Sequence, residues 1–298
     1  MNPIHAVLLM VIVGLVIIQL WGFHRQTEPF EDLNMEPAPL DTTPVDPTFK
    51  TMGPNTLHLA ADISPPEVDP RDIPWMDTWS TADWAAREGN NCNVHGQGIG
   101  PDGTIIQTVS KTCEAGMAHT RPGDRIVMPD SIPQAMWADT LRHEMFHIYQ
   151  RRWPAEWREF YRRQWRFELH DAPPVGMPAS VVGARRSNPD TWDPATGGPW
   201  SCWKGRYWPV PVYRDPQRPQ LRDARTIWWD DALQKVLLEP PTDWVAFFGR
   251  PAQEEHPHEI AAVLLATDDN SVEAGRRVLS WWQLQGPFMS KPGSKALY

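Results

Sequence analysis

The chain has 298 residues, a formal net charge of −9 and 41% hydrophobic residues, enough for one large domain or two small ones. Its acidic balance argues against nucleic acid as a partner, because phosphate binding needs a surplus of Lys and Arg. Three cysteines are too few for a disulfide scaffold, whereas 32 prolines and 17 tryptophans point to long irregular connections and an aromatic core or groove.

Residues 4–21, IHAVLLMVIVGLVIIQLW, carry no Asp, Glu, Lys or Arg. As a helix they would span about 27 Å, close to a bilayer's hydrocarbon thickness. Trp21 and Phe23 suit the interface, and His24 and Arg25 supply a polar flank. The start, MNPIH, lacks the basic residues of a signal peptide and no small-residue cleavage site follows. Residues 1–25 therefore read as an uncleaved transmembrane anchor, with only Arg25 to encode its orientation. Residues 26–74 are rich in proline, acid and small polar residues and read as a semi-extended stalk. Leu57, Leu59 and Ile63 leave open an arm that docks on the body.

The body, residues 75–298, starts with a short helix in WMDTWSTADWAAREG and a loop at GQGIGPDG. TIIQTVS and RIVMP read as short β-branched strands. Cys92 and Cys113 flank the Gly-rich stretch and are candidates for a bridge that leaves Cys202 free. Ser131 and Pro133 open a helix that runs to about Trp153, where Pro154 breaks it. AEWREFYRRQWRFEL continues as a second helix with an aromatic face of Trp157, Phe160, Tyr161, Trp165 and Phe167. From His170 to about Gly249 the chain is irregular, with strand-like pieces in RYWPVPVY and RTIWWDD. HPHEIAAVLLATDD then gives a helix with Pro257 at its start, and SVEAGRRVLSWWQLQ a last one.

The first long helix contains HEMFH. Residues four apart share one helix face, so His143 and His147 can reach one ion, and Glu144 stands beside it as a candidate general base. Leu141, Met145, Phe146 and Ile148 around the motif mark a buried helix. RIVMP upstream is a candidate strand for an extended substrate to pair along. The bland alternative is a helix carrying two unrelated histidines.

TLRHEMFHIYQRR, with RIVMP before it, NPDTWD (188–193) and HPHEIAA after it, resembles the gluzincin zinc metallopeptidases. More narrowly it is similar to putative metallopeptidases of large DNA viruses, over roughly residues 120–270. The resemblance implies Zn2+ held by His143, His147 and a late glutamate, with Glu144 as catalytic base and a peptide or protein as substrate. Glu259, at the start of an apolar helix, takes the third-ligand place. Glu168 is the alternative, although an antiparallel helix after Pro154 would carry it about a turn too far. A metzincin pattern is excluded by Gln150 and Trp153. The aspartate expected four residues after the third ligand is Val263, which leaves Asp230, Asp231, Asp268, Asp269 or a backbone carbonyl to orient a histidine. Tyr207 and Tyr213 are candidate transition-state donors, and His256 and His258 are each a candidate ligand, transition-state donor or helix-start residue near solvent. The tryptophans read as core, and the arginines from Arg151 to Arg166 as a solvated face.

The expected fold is α+β: a small sheet packed on the HEMFH helix, then a mostly helical second half, in a zincin-like domain behind a transmembrane anchor. The expected function is membrane-anchored, zinc-dependent peptide hydrolysis. A non-catalytic structural or interaction protein that keeps a zincin shape is the alternative, and a Trp-rich glycan binder a third.

Overall fold

A computed structural model describes residues 69–90, 92–194, 200–250 and 256–289. The expected anchor and most of the stalk lie outside them. Among the described residues no helix is long and apolar enough to cross a membrane.

Two short helices, α1 (Ile73–Met76) and α2 (Thr81–Ala86), open the domain. Ser80 caps α2: its side chain accepts from the Asp83 N–H while Asp83 returns a bond to the Ser80 N–H. A first sheet follows, made of β1 (Val94–Ile99), β2 (Ile105–Val109), β3 (His119–Arg121) and β4 (Arg125–Pro129) in the order β1-β2-β4-β3. Only β2 and β4 run parallel. The stretch GQGI, expected in a loop, is most of β1, because pairing with β2 supplies what its glycines lack in propensity. RIVMP is β4, an interior strand paired on both sides. It has no free edge, so the expectation that a substrate pairs along it is corrected. A disulfide joins Cys92 to Cys113, and Cys202 is free and buried.

Helix α3 (Trp137–Arg152) is the expected HEMFH helix. It ends at Trp153, whose φ of −129° and ψ of 53° are non-helical, as the residue before Pro154 requires. Met145 and Ile148 pack on Ile126 and Met128 of β4, which seats α3 on the first sheet. Helix α4 (Pro154–Phe160) passes into a π-helical turn at Tyr161–Trp165 and then reverses at Arg166, whose φ is 60°. The helix expected through residue 169 thus stops early, and Phe167–His170 becomes β5.

The second half is not mostly helical. After α5 (Ala179–Gly183), strands β6 (Trp200–Trp203), β7 (Tyr207–Tyr213), β8 (Ala224–Asp230) and β9 (Lys235–Leu237) join β5 in an antiparallel sheet of order β5-β6-β7-β8-β9. The short strand-like pieces there pair into one extended sheet, which is why irregular-looking sequence yields regular structure. Helices α6 (Thr242–Phe248), α7 (Pro257–Ala266) and α8 (Glu273–Met289) complete an α+β domain. Gly275 lets α8 start tight against the preceding turn, since a Cβ there would meet the Asp269 carbonyl oxygen at 2.0 Å.

Trp157, Trp165, Trp203, Trp228 and Trp244 are fully buried, and all five belong to one cluster with Phe160, Tyr161, Phe167 and Phe248. Most of the rings meet edge-to-face or tilted, as in Trp228–Trp244 at 4.4 Å and Trp165–Phe248 at 5.4 Å, whereas Tyr161 stacks on Trp165 at 5.6 Å. These five tryptophans build the core, and α7 contributes Ile260, Ala261, Leu264 and Leu265 to it.

Candidate metal centre

His143 and His147 lie one turn apart on α3, and their Nε2 atoms are 3.1 Å apart. Glu259 comes from the first turn of α7, which is closely packed on α3. Its Oε2 lies 3.5 Å from His143 Nε2 and 3.7 Å from His147 Nε2. Bonds of about 2.0–2.2 Å at tetrahedral angles put ligand atoms about 3.3 Å apart, so the three atoms suit one zinc ion. The α7 start is well made for presenting a carboxylate. Pro257 sits at its first position, and the His256 ring accepts from the His258 N–H as a cap. The helix's N-terminal dipole also favours a negative group there.

Two further side chains hold these three groups in place. Gln150 Nε2 donates to the His258 carbonyl at 2.9 Å, so its amide oxygen faces His147 Nδ1 at 2.8 Å and must accept. His147 therefore carries its proton on Nδ1 and points the Nε2 lone pair at His143 and Glu259. Asn188 Oδ1 accepts from the Asp190 N–H, and its Nδ2 donates to Glu259 Oε1 at 2.6 Å, leaving Oε2 to face the histidines. This is the ligand orientation expected around a metal-binding histidine and carboxylate.

Glu144 is buried and its Oε2 has no hydrogen-bond partner. Burial, and then the nearby Asp190 and Glu259 carboxylates, push its carboxyl well above the ordinary glutamate range. Burial lowers His147 to about 3, against the pull of Glu259. Burial acts in the same direction on His143, but there the hydrogen bond and charge of Glu259 prevail and raise it. Asp190 accepts from the Thr120 N–H at 2.5 Å and the Thr120 hydroxyl at 2.8 Å, which fixes it against β3. His143, Glu144, Asn188, Asp190 and Glu259 share a cavity of about 280 Å³ with Met117, His119, Thr140 and Arg186.

The other expected site residues lie elsewhere. Glu168 is on β5, opposite Cys202, with a 59% exposed side chain, because the turn at Arg166 carries it away from the histidines. Tyr207 packs near Trp203 and under Arg206, and the Tyr213 hydroxyl donates to Asp83 at 2.8 Å. His256 is the α7 cap. None of these three lines the cavity. His258 is buried among Tyr161 and His256, and burial, followed by the charge of His147, holds its ring well below the usual range. Nor do the candidate aspartates orient the histidines: Asp230 pairs with Arg206, Asp268 with Arg142, Asp231 accepts from Trp229, and Asp269 from Ser271. Of the arginines expected on a solvated face, Arg162 and Arg163 do pair with Glu159 at the surface. Arg151 is buried instead, bonded to the carbonyls of Pro189, Thr120 and Trp192.

The chain matches no family model, no curated protein and no solved structure.

Proposed function

We propose that the protein is a zinc-dependent peptidase, with His143, His147 and Glu259 as metal ligands and Glu144 as general base. The observation that carries this reading is the convergence of His143 Nε2, His147 Nε2 and Glu259 Oε2 within 3.1 to 3.7 Å of one another. The donor set also fits the ion, since two imidazoles and one carboxylate with a cavity on the open side suit a catalytic zinc. When bound, zinc supplies Lewis acidity to a carbonyl and to water, and its charge lowers the proton affinity of neighbouring carboxyls. Gln150 and Asn188 hold the ligand atoms in register. Glu144, beside the ligands with an unpartnered oxygen on the cavity wall, is the group that takes a proton from attacking water and passes it to the departing amine. His119 plays no such part, because both its ring nitrogens are engaged, by the Met117 carbonyl and the Arg121 guanidinium.

The test is the zinc content of full-length protein together with peptide turnover. Wild type should hold one zinc per chain, His143→Ala should lose it, and Glu144→Gln should keep it while turnover falls by about 10²- to 10⁴-fold. Absence of stoichiometric zinc, or zinc retained by His143→Ala, sinks the metal assignment. Turnover unchanged in Glu144→Gln leaves a metal site without this chemistry.

A further inference from the structure

Arg186 is the one Lys or Arg among the residues lining the cavity. Its backbone is fixed, because its N–H donates to the Pro211 carbonyl at 2.8 Å and the neighbouring Arg185 bridges to Val212 of β7. Its guanidinium has no such partner. The Nε is buried without a hydrogen bond, and one terminal nitrogen meets only the Met117 sulfur at 3.8 Å, a weak acceptor. Among the described residues no carboxylate pairs with it.

Three other arginines of the domain are paired with carboxylates. Arg87 bonds Asp83 and Glu114, Arg125 bonds Asp69 and Asp72, and Arg158 bonds Asp193. Nor do the carboxylates on the cavity wall neutralise Arg186: no ion pair joins it to Glu144, and the other three are engaged elsewhere. Glu114 accepts from Arg87 and from Asn90 at 2.8 Å, Asp190 from Thr120, and Glu259 from Asn188. A half-buried arginine fork whose geometry matches a carboxylate, facing a cavity and left unpaired, is a recognition element awaiting its anion.

We propose that Arg186 binds a carboxylate of the peptide that enters this cavity, either its C-terminus or an Asp or Glu side chain. The clamp takes its substrate class from the peptidase reading and shares that reading's cavity. It sets specificity rather than chemistry: it selects acid-bearing peptides and orients them beside His143 and Glu144.

The experiment uses full-length, zinc-loaded Glu144→Gln protein and fluorescent randomised decapeptides in four forms: free acid or amide at the C-terminus, each with or without Asp and Glu. Binding is read by anisotropy, and turnover of the same peptides is read with the wild-type chain. Acid-bearing peptides should bind about tenfold or more tightly than neutral ones. Adding Arg186→Gln should reduce that ratio to within about twofold, and Arg186→Lys should keep part of it. Met117→Glu, which sets a carboxylate where the sulfur now lies, should also remove the preference, and it covers the case in which Arg186→Gln does not fold. Acid against amide, and Glu against Gln, tell which carboxylate is taken. Equal binding of all four forms overturns the proposal, as does a preference that survives both Arg186→Gln and Met117→Glu. An Arg186-dependent preference without any turnover by wild type keeps the clamp and sinks the peptidase reading. Turnover with no acid preference does the reverse.

Discussion

Gln150 offers the sharpest separation between holding the fold and holding the metal ligands. Its side chain is buried between His147 Nδ1 and the His258 carbonyl, at 2.8 and 2.9 Å. Gln150→Leu keeps the volume but leaves the buried His147 Nδ1–H unpaired, at about 1–3 kcal/mol, and takes a second bond from the His258 carbonyl, which keeps its helical one, at about 1 kcal/mol. The apolar gain of leucine offsets part of this, so the stability lost should be about 1–3 kcal/mol. Losing the acceptor also frees His147 to place its proton on Nε2, which should weaken zinc about 10- to 100-fold. Gln150→Glu keeps an acceptor for His147 but sets an anion against the His258 carbonyl, so it should lose stability while largely keeping zinc affinity. The assays are urea unfolding of metal-free protein and zinc affinity by competition with a chromogenic chelator. If Gln150→Leu loses stability with zinc affinity within about twofold of wild type, Gln150 merely ties α3 to α7 and the tautomer argument is wrong.

Burial holds His119, which lines the cavity but has both ring nitrogens engaged, at about 4, below the 6.5 of an unperturbed imidazole. The unfolded chain therefore takes up a proton as pH falls below about 6.5 while the folded chain does not, so stability is intact above that pH and declines toward pH 4. The slope approaches about 1.4 kcal/mol per pH unit for one such group, and His119→Gln should flatten urea-derived stability between pH 7 and pH 5; an unchanged slope refutes the assignment. Glu259→Ala should abolish stoichiometric zinc and Glu168→Ala should leave it unchanged, as measured on dialysed protein by mass spectrometry. The opposite pattern would move the third ligand to β5.

What was legible in the sequence was mostly what is local. HEMFH needs only one helix to bring two imidazoles to one face, and α3 is that helix. The start of α7 was readable from Pro257, but its packing on α3, which brings Glu259 to the histidines, depends on the small and apolar residues Ile260, Ala261 and Ala262 all entering the core. Gln150 and Asn188 take the orienting places that the sequence assigns to an aspartate or a backbone carbonyl. Gln150 had a signal, since it lies three residues after His147 on the same helix face. Asn188 had only its place in NPDTWD, and nothing local ties that stretch to α7. Strand β3 is three residues long and polar, HTR, without alternation to announce it. Glu168 misled because the reversal at Arg166 is a left-handed residue that is not glycine, which composition does not forecast.

The segment Asn188–Thr191 joins these separate parts and limits how a peptide can enter. Asn188 orients Glu259, the Pro189 carbonyl accepts from buried Arg151, and Asp190 takes both the N–H and the hydroxyl of Thr120. That last pair has a consequence for recognition. Strand β3 is the sheet edge nearest the histidines, and an extended peptide could add to it only through outward backbone groups. At Thr120 the outward N–H is already bonded to Asp190, so the edge is closed there. A peptide in this cavity must then be held by side chains rather than by strand pairing at Thr120. Besides Glu144, the side chain on that wall with unspent bonding capacity is Arg186, whose buried Nε has no partner. On the peptidase reading, the closed strand edge and the free guanidinium would act in the same direction, shifting selection from the peptide backbone, which all peptides share, to a carboxylate, which only some present.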